Sequence, residues 1–194
     1  VQRVLVHESI YSDFKEAFLH RVKALAVGNP EREEVICGPM INAHSKARVQ
    51  EWIQEALNLG GRMLFKSDKD EPGNLLRPAV LEDVPAQCRL YSDEVFGPVV
   101  MMESYRDLDE AIARVNSGRW GLQAGLFTQD VSTLFKAFRN LEVGALLHND
   151  TPTWRVDQMP YGGIKDSGLG REGPVESMRD YTDSRMLALR WDTI

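Results

Sequence analysis

Two positions apart in one extended segment, Glu94 and Phe96 offer a carboxylate and an aromatic ring to the same side of the chain. The two acceptor oxygens of a carboxylate suit the neighbouring hydroxyls of a ribose. A flat ring beside it packs against another planar ring. Together they have the chemistry of half a nucleotide site. Spacing alone also admits a plainer outcome, a solvated Glu and a core Phe ahead of the Gly97-Pro98 turn, which is the commoner fate of those residue types.

Three more segments carry polar chemistry. Arg171-Glu172 sits in Pro160 to Gly173, a stretch with five glycines. A carboxylate flanked by glycines can enter a cleft and relay protons, although a surface ion pair satisfies the same spacing. Asn149 to Gln158 holds Trp154, Arg155 and Asp157, an aromatic with opposite charges that can shape a pocket for a small polar molecule or simply anchor a surface loop. Gly168, Gly170 and Gly173 match G-x-G-x-x-G, and Asp192 follows at the separation of a ribose-binding acid. The Rossmann reading is rejected. No strand immediately precedes Gly168, and the sequence holds only two residues past Asp192, too few for further βαβ units.

No nucleophile-plus-base pattern is visible. Cys37 and Cys88 have no histidine near in sequence and read as structural thiols, and two cysteines do not make a disulfide framework. The four histidines are scattered without ligand spacing, so no metal is expected.

The elements that must position these residues alternate. Val4 to Val6 is β-prone. Ser12 is a candidate cap for a helix carrying Phe14, Phe18, Val22 and Leu25, stopped by Gly28-Asn29-Pro30. Asn42 caps a second helix, with Val49, Ile53 and Ala56 on one face and Gly60-Gly61 at its end. Met63 to Phe65, Pro78 to Val84 and Pro98 to Met102 read as strands, with an exposed loop over Ser67 to Asn74. Asp107 to Glu110 has the form of a capping box for a helix bearing Leu108, Ala111, Ile112 and Val115. Ala124 to Phe127 and Ala145 to Leu147 are strand-like, and Val131, Leu134, Phe135, Phe138 and Leu141 form a helical stripe between them. Arg185 to Trp191 is β-prone again. Strands alternating with helices predict an α/β fold, a largely parallel open sheet flanked by helices.

The composition is that of a globular domain, with 43% hydrophobic and 27% charged residues. A net charge of −6 disfavours nucleic acid. No apolar run approaches the roughly 20 residues of a membrane span, and Val1 to His7 lacks the pattern of a signal peptide. Free thiols suit a reducing, cytoplasmic setting.

In order, Gly28-Asn29-Pro30, Gly38-Pro39-Met40-Ile41, Arg77-Pro78, Glu94 to Val99, Trp120-Gly121-Leu122, Phe127-Thr128, Asn149 and the Pro160 to Glu172 motif resemble the aldehyde dehydrogenase superfamily along essentially the whole chain. The resemblance implies a catalytic domain over 1–180, whose N-terminal part and cofactor domain are missing, and a C-terminal oligomerisation strand over 181–194. It implies NAD or NADP bound mainly by the missing domain, with Glu94 on the nicotinamide-side ribose and Phe96 beside the nicotinamide. Glu172 would assist proton transfer, Arg171 would tether its loop at a subunit interface, and the loop with Asn149, Trp154 and Arg155 would line the aldehyde path. In the family a cysteine thiolate attacks the aldehyde and a thioester is hydrolysed to the carboxylate. That cysteine would fall just upstream of Val1; neither Cys37 nor Cys88 matches it. The 194-residue chain is therefore expected to be inactive alone. The loop from Asn149 to Gly163 looks closest to members acting on small polar aldehydes, such as lactaldehyde or phosphorylated aldehydes, and the parent is expected to be a homo-oligomer (a dimer or tetramer). The alternative is a non-catalytic binding or oligomerisation module of the same fold.

Overall fold

The computed structural model describes residues 1–67 and 72–191, which form two compact units, Val1–Gly118 and Arg119–Ile194. The Gly118–Arg119 boundary has no mark in the apolar pattern. Residues 68–71 of the expected 67–74 loop, and Asp192 with the last two positions of the tail, lie outside the described residues.

The first unit runs β1 (Arg3–His7), α1 (Glu8–Lys23), β2 (Ala26–Val27), β3 (Val35–Cys37), α2 (Ala43–Asn58), β4 (Arg62–Lys66), β5 (Ala79–Glu82), α3 (Arg89–Ser92), β6 (Val99–Tyr105) and α4 (Leu108–Asn116). Its main sheet has the order β1-β6-β5-β4. β1 and β5 both pair parallel with β6, and β4 pairs antiparallel with β5. Every residue of β5 is buried, as a central strand covered on both faces requires. One face packs Ala79, Leu81, Val99 and Met101 against Val49, Trp52, Ile53 and Ala56 of α2. The other packs Val80, Met102 and Val6 against Tyr11, Phe18, Leu19 and Val22 of α1. The predicted α/β fold with a largely parallel sheet is the one observed.

α1 departs from its expected start. It begins at Glu8, capped by the His7 ring, which accepts from the Ser9 amide at 3.3 Å. Strand β1 passes straight into the helix, so Ser12 lies inside it rather than at its cap. The helix also stops at Lys23, before Gly28, because the short strand β2 intervenes. Asn42 caps α2 as expected, its Oδ1 accepting from the Ser45 amide at 2.8 Å. The box at α4 is displaced by one residue. Asp107 accepts from the Glu110 amide at 2.9 Å, but Glu110 reaches back to the amide of Arg106, also at 2.9 Å.

Glu82, at the end of β5, is the buried charge among the described residues of this unit, 3% exposed. Burying a carboxylate is tolerable only with partners. It receives the Tyr11 hydroxyl at 2.7 Å, Lys15 at 3.2 Å and Arg62 at 2.8 Å, which ties α1 to the sheet.

The second unit contains β7 (Trp120–Gly121), β8 (Gln123–Leu126), α5 (Val131–Asn140), β9 (Ala145–His148), β10 (Ile164–Lys165) and α6 (Pro174–Asp180). β8 and β9 pair parallel with α5 as their crossover, and β7 pairs antiparallel with β10. Asp130 caps α5, receiving the Ser132 and Thr133 amides. The stripe expected on α5 is not a buried face. Leu134 and Leu141 are half-buried and Val131, Phe135 and Phe138 are exposed, while the helix's buried residue is Ala137, outside the stripe. Residues 183–191 belong to no strand, and Met186, Leu187, Leu189 and Trp191 are exposed.

Candidate active site

In the first unit, the segment between α3 and β6 alternates in burial. Val95 turns inward and is 3% exposed, while Glu94 and Phe96 turn outward. Both side chains edge one cleft, although the chain at Phe96 is left-handed and not extended, and Phe96 is not a core residue. At 72% exposed and with φ of +44°, it combines a poorly buried large aromatic with a left-handed backbone that L residues avoid. Strain of this kind persists only where surrounding structure imposes it, and it concentrates at functional sites.

The surrounding structure does impose it. The Val95 amide donates to Gln2 Oε1 at 2.9 Å, and the Val95 carbonyl accepts from Arg48 Nη2 at 2.8 Å. Next to the strained residue, Gly97 lies against α2. A Cβ on Gly97 would meet Val49 Cγ2 at 2.9 Å, so only glycine lets the chain pass this close. Glu94 and Phe96 thereby edge an open cleft of about 460 Å³, whose other walls are Pro39, Met40, Ile41, Ser45 and Arg48. The cleft is mostly apolar, with a carboxylate at its rim.

In the second unit, the residues singled out fall into two groups. Tyr161 and Glu172 form an isolated antiparallel bridge, the amide of Tyr161 donating to the Glu172 carbonyl at 2.9 Å and that of Glu172 to the Tyr161 carbonyl at 2.6 Å. Arg155 comes to this bridge from the preceding loop. Its guanidinium lies 4.1 Å from the Tyr161 ring centre, and Nη2 is 3.2 Å from Glu172 Oε2. The reading of Arg171-Glu172 as a mutual pair is corrected. Neighbours in an extended bridge project to opposite sides, so Glu172 meets Arg155, while Arg171 donates to the carbonyls of Gly163 at 2.9 Å and Gly170 at 2.7 Å. Arg171 holds the glycine-rich loop to itself. Glu172 remains open to solvent, with its side chain 69% exposed.

Asn149 stands apart from that group. It ends β9 in a left-handed conformation, φ +53°, and its Oδ1 accepts from the Thr128 amide at 2.9 Å. That acceptor ties the β8 and β9 ends together. Trp154 closes a turn onto the Thr151 carbonyl at 3.1 Å and leaves its ring 46% exposed. Gly121, Gly125 and Gly144 serve close packing of backbone, whereas Gly168 and Gly170 take positive φ in open space. A Cβ on Gly144 would fall 1.8 Å from the Gly162 carbonyl oxygen.

Neither thiol is prepared for nucleophilic attack. Cys88 is fully buried, with Sγ 2.9 Å from the Pro85 carbonyl, and burial pushes its thiol above the usual range. Burial also pushes Cys37 up, against a smaller opposing effect of Arg77. A raised pKa keeps the neutral thiol, which is a poor nucleophile.

Sequence reasoning missed Gln2 and Arg48. Their role depends on hydrogen bonds across 93 and 47 residues, which no local pattern announces. It also missed the Arg155–Tyr161 stack, although both residues lay in segments already singled out.

The first unit thus presents a carboxylate and an aromatic ring together on one cleft of an α/β fold. The chain belongs to the aldehyde dehydrogenase family, whose sequence model matches residues 1–187. It is 41% identical over 189 residues to the 3-sulfolactaldehyde dehydrogenase of Priestia aryabhattai, covering 97% of this chain and 39% of that protein. Its fold superposes with a TM-score of 0.89 on aldehyde dehydrogenase 21 from Physcomitrella patens, solved with the reaction product succinate, at 42% identity and covering 93% of this chain and 37% of the other. The glyceraldehyde-3-phosphate dehydrogenase from Methanocaldococcus jannaschii, solved with NADP, gives a TM-score of 0.85 at 36% identity, covering 92% and 38%. The chain spans about two fifths of the length of these proteins.

Proposed function

We propose that this chain is part of an NAD(P)-dependent aldehyde dehydrogenase that oxidises a small polar aldehyde to a carboxylate through a cysteine thioester. The observation that carries the reading is the joint presentation of Glu94 and Phe96, the latter strained and exposed, on the rim of an apolar cleft within a chain of this family. The residues fit a nicotinamide nucleotide. Glu94 offers two acceptor oxygens for a ribose diol, and Phe96 offers a free ring face for packing. When bound, NAD(P) supplies the hydride acceptor.

The remaining roles belong to the second unit. Glu172 presents a largely solvent-facing carboxylate that can accept a proton at its oxygens, and Arg155 fixes its direction through Oε2. Arg155 and Trp154 supply a cation and a ring face for a small aldehyde that carries an anionic group. Two of the three relatives named above support that class by the anion in sulfolactaldehyde and glyceraldehyde 3-phosphate, and the third was solved with the product succinate, a dicarboxylate. Asn149 belongs to the same loop, with its Oδ1 committed to Thr128. Neither Cys37 nor Cys88 matches the position of the family's nucleophile, and burial pushes both thiols up. The 194 residues alone are therefore expected to give no turnover. The exposed apolar residues of the tail, Met186, Leu187, Leu189 and Trp191, support its pairing with a second subunit, in a homo-oligomer.

The test is NAD(P)H formation by the full-length enzyme carrying this segment, with 3-sulfolactaldehyde, lactaldehyde and glyceraldehyde 3-phosphate as substrates. Replacing Glu94 by Gln weakens a charge-assisted hydrogen bond to the ribose and is expected to raise the KM for NAD(P) roughly tenfold. An unchanged KM, or turnover by the 194-residue chain itself, would refute the reading.

A further inference from the structure

We infer that Gln2 and Arg48 are positioning residues for the nicotinamide side of the site, acting on Glu94 and Phe96 through the two backbone polar groups of Val95. The inference rests on the proposed role of Glu94 and Phe96 and adds the means by which they are held.

Val95 is the pivot of the segment. Its side chain belongs to the core shared by α2, β5 and β6, and its backbone lies between the two outward residues. Buried backbone groups must be satisfied, and here no strand is available to satisfy them. Both partners are side chains brought from elsewhere. Gln2, at the start of β1, accepts from the Val95 amide at 2.9 Å and donates through Nε2 to the carbonyls of Leu90 at 2.9 Å and Asp93 at 2.8 Å. One carboxamide thus joins the end of α3, the residue before Glu94 and the residue after it. Only a side chain with one acceptor and two donors at this length can do so. A carboxylate has no donor, and a hydrocarbon has neither.

Arg48 holds the opposite side. Nη2 donates to the Val95 carbonyl at 2.8 Å, and the guanidinium lies 4.6 Å from the centre of the Trp52 ring. The ring limits where the guanidinium can go. Arg48 stands one position before Val49, the residue that Gly97 packs against. Helix α2 therefore fixes the segment at two adjacent points. With the Val95 amide and carbonyl both fixed, the peptide planes on either side of it are fixed too. The direction of Glu94 and the left-handed turn at Phe96 follow from those planes. Loss of either clamp lets Phe96 relax toward ordinary φ, which swings its ring off the rim. A displacement near 1 Å in a binding group is enough to cost one to two orders of magnitude.

The experiment compares Gln2→Leu, Gln2→Glu, Arg48→Met and Arg48→Lys in the full-length enzyme, with Glu94→Gln beside them. Gln2→Leu, Gln2→Glu and Arg48→Met are expected to raise the KM for NAD(P) roughly tenfold. The KM for the aldehyde should stay within about twofold. Arg48→Lys keeps a donor for the Val95 carbonyl without the flat stack on Trp52, so it should recover much of the loss. Hydrogen exchange at the Val95 amide should speed up in Gln2→Leu, which removes its acceptor. A merely structural role lowers the amount of active enzyme, and with it kcat, and moves neither KM. If Gln2→Leu fails to fold, Gln2→Glu decides, because Gln2 does not line the cleft whereas Arg48 does. An NAD(P) KM that stays within about twofold in these variants, while Glu94→Gln raises it, would overturn the clamp and leave the role of Glu94 standing. If Glu94→Gln also leaves it unchanged, the nucleotide reading itself fails, and the clamp with it.

Discussion

Replacing Gly97 by Ala tests the packing that carries the candidate nucleotide rim. The added methyl would lie 2.9 Å from Val49 Cγ2 and 3.3 Å from Cγ1, and within 3.5 Å of Met40 Cε. Methionine can move aside, but Val49 is fully buried, and a β-branched residue in a helix has one strongly preferred rotamer. The clash must be relieved by shifting α2 or the 94–97 segment, and overpacking of this kind costs about 1–3 kcal/mol. Val49→Ala alone removes two buried methyl groups and should cost about 2 kcal/mol. It also clears the space the new methyl needs. The double variant should therefore be more stable than the sum of the single losses by about 1–2 kcal/mol. The assay is denaturant unfolding of the four proteins, read by hydrogen exchange at buried amides such as Leu81 and Met101, so that the first unit reports for itself. Losses that add to within about 0.5 kcal/mol would show that the close approach is not what demands glycine at position 97.

Asn149→Ala should cost about 2 kcal/mol, from the left-handed backbone and the lost bond to the Thr128 amide, and Asn149→Gly about half of that; equal losses would contradict the backbone account. Stability should fall as pH rises past the ordinary thiol and phenol range. Burial raises Cys37, Cys88, Tyr91 and Tyr105, and burial reinforced by the bond to Glu82 raises Tyr11. The unfolded chain then loses these protons first, so the stability is full below the unfolded pKa values and is lost above them. Tyr11→Phe should flatten the alkaline slope of a urea-midpoint series, and an unaltered slope would remove Tyr11 from the explanation. At the acid end the sign reverses. Asp130, held low by the Thr133 hydroxyl and then the Thr133 and Ser132 amides, and Glu55, held low by Arg89, contribute stability above the ordinary carboxylate range and lose it as pH falls through their lowered values. Asp130→Asn should shallow that acid limb, again read from urea midpoints, and an identical limb would count against it.

Local chemistry made much of this protein legible before any coordinates. Apolar period gave the order of β1, α1, α2, β4, β5, β6, α4, β8, α5 and β9, but not the short elements β2, β3, α3, β7, β10 and α6, and it placed a strand in the tail where none is seen among the described residues. The caps at Asn42 and Asp107 followed from side chains that satisfy free helix amides. Glu94 and Phe96 were singled out from their residue types two apart, but the left-handed turn at Phe96 is not one that an extended repeat announces. Tertiary structure decided what depends on distant partners. His7 displaced Ser12 as the cap of α1 because β1 feeds the helix directly. Arg155, not Arg171, met Glu172 because the bridge to Tyr161 sends neighbouring side chains apart. Gln2 and Arg48 hold Val95 from 93 and 47 residues away, next to the left-handed backbone of Phe96. Sequence by itself determined what each segment can do through near neighbours. Which side chains hold the candidate site was decided by folding, because a hydrogen bond depends on distance in space and leaves no period along the chain.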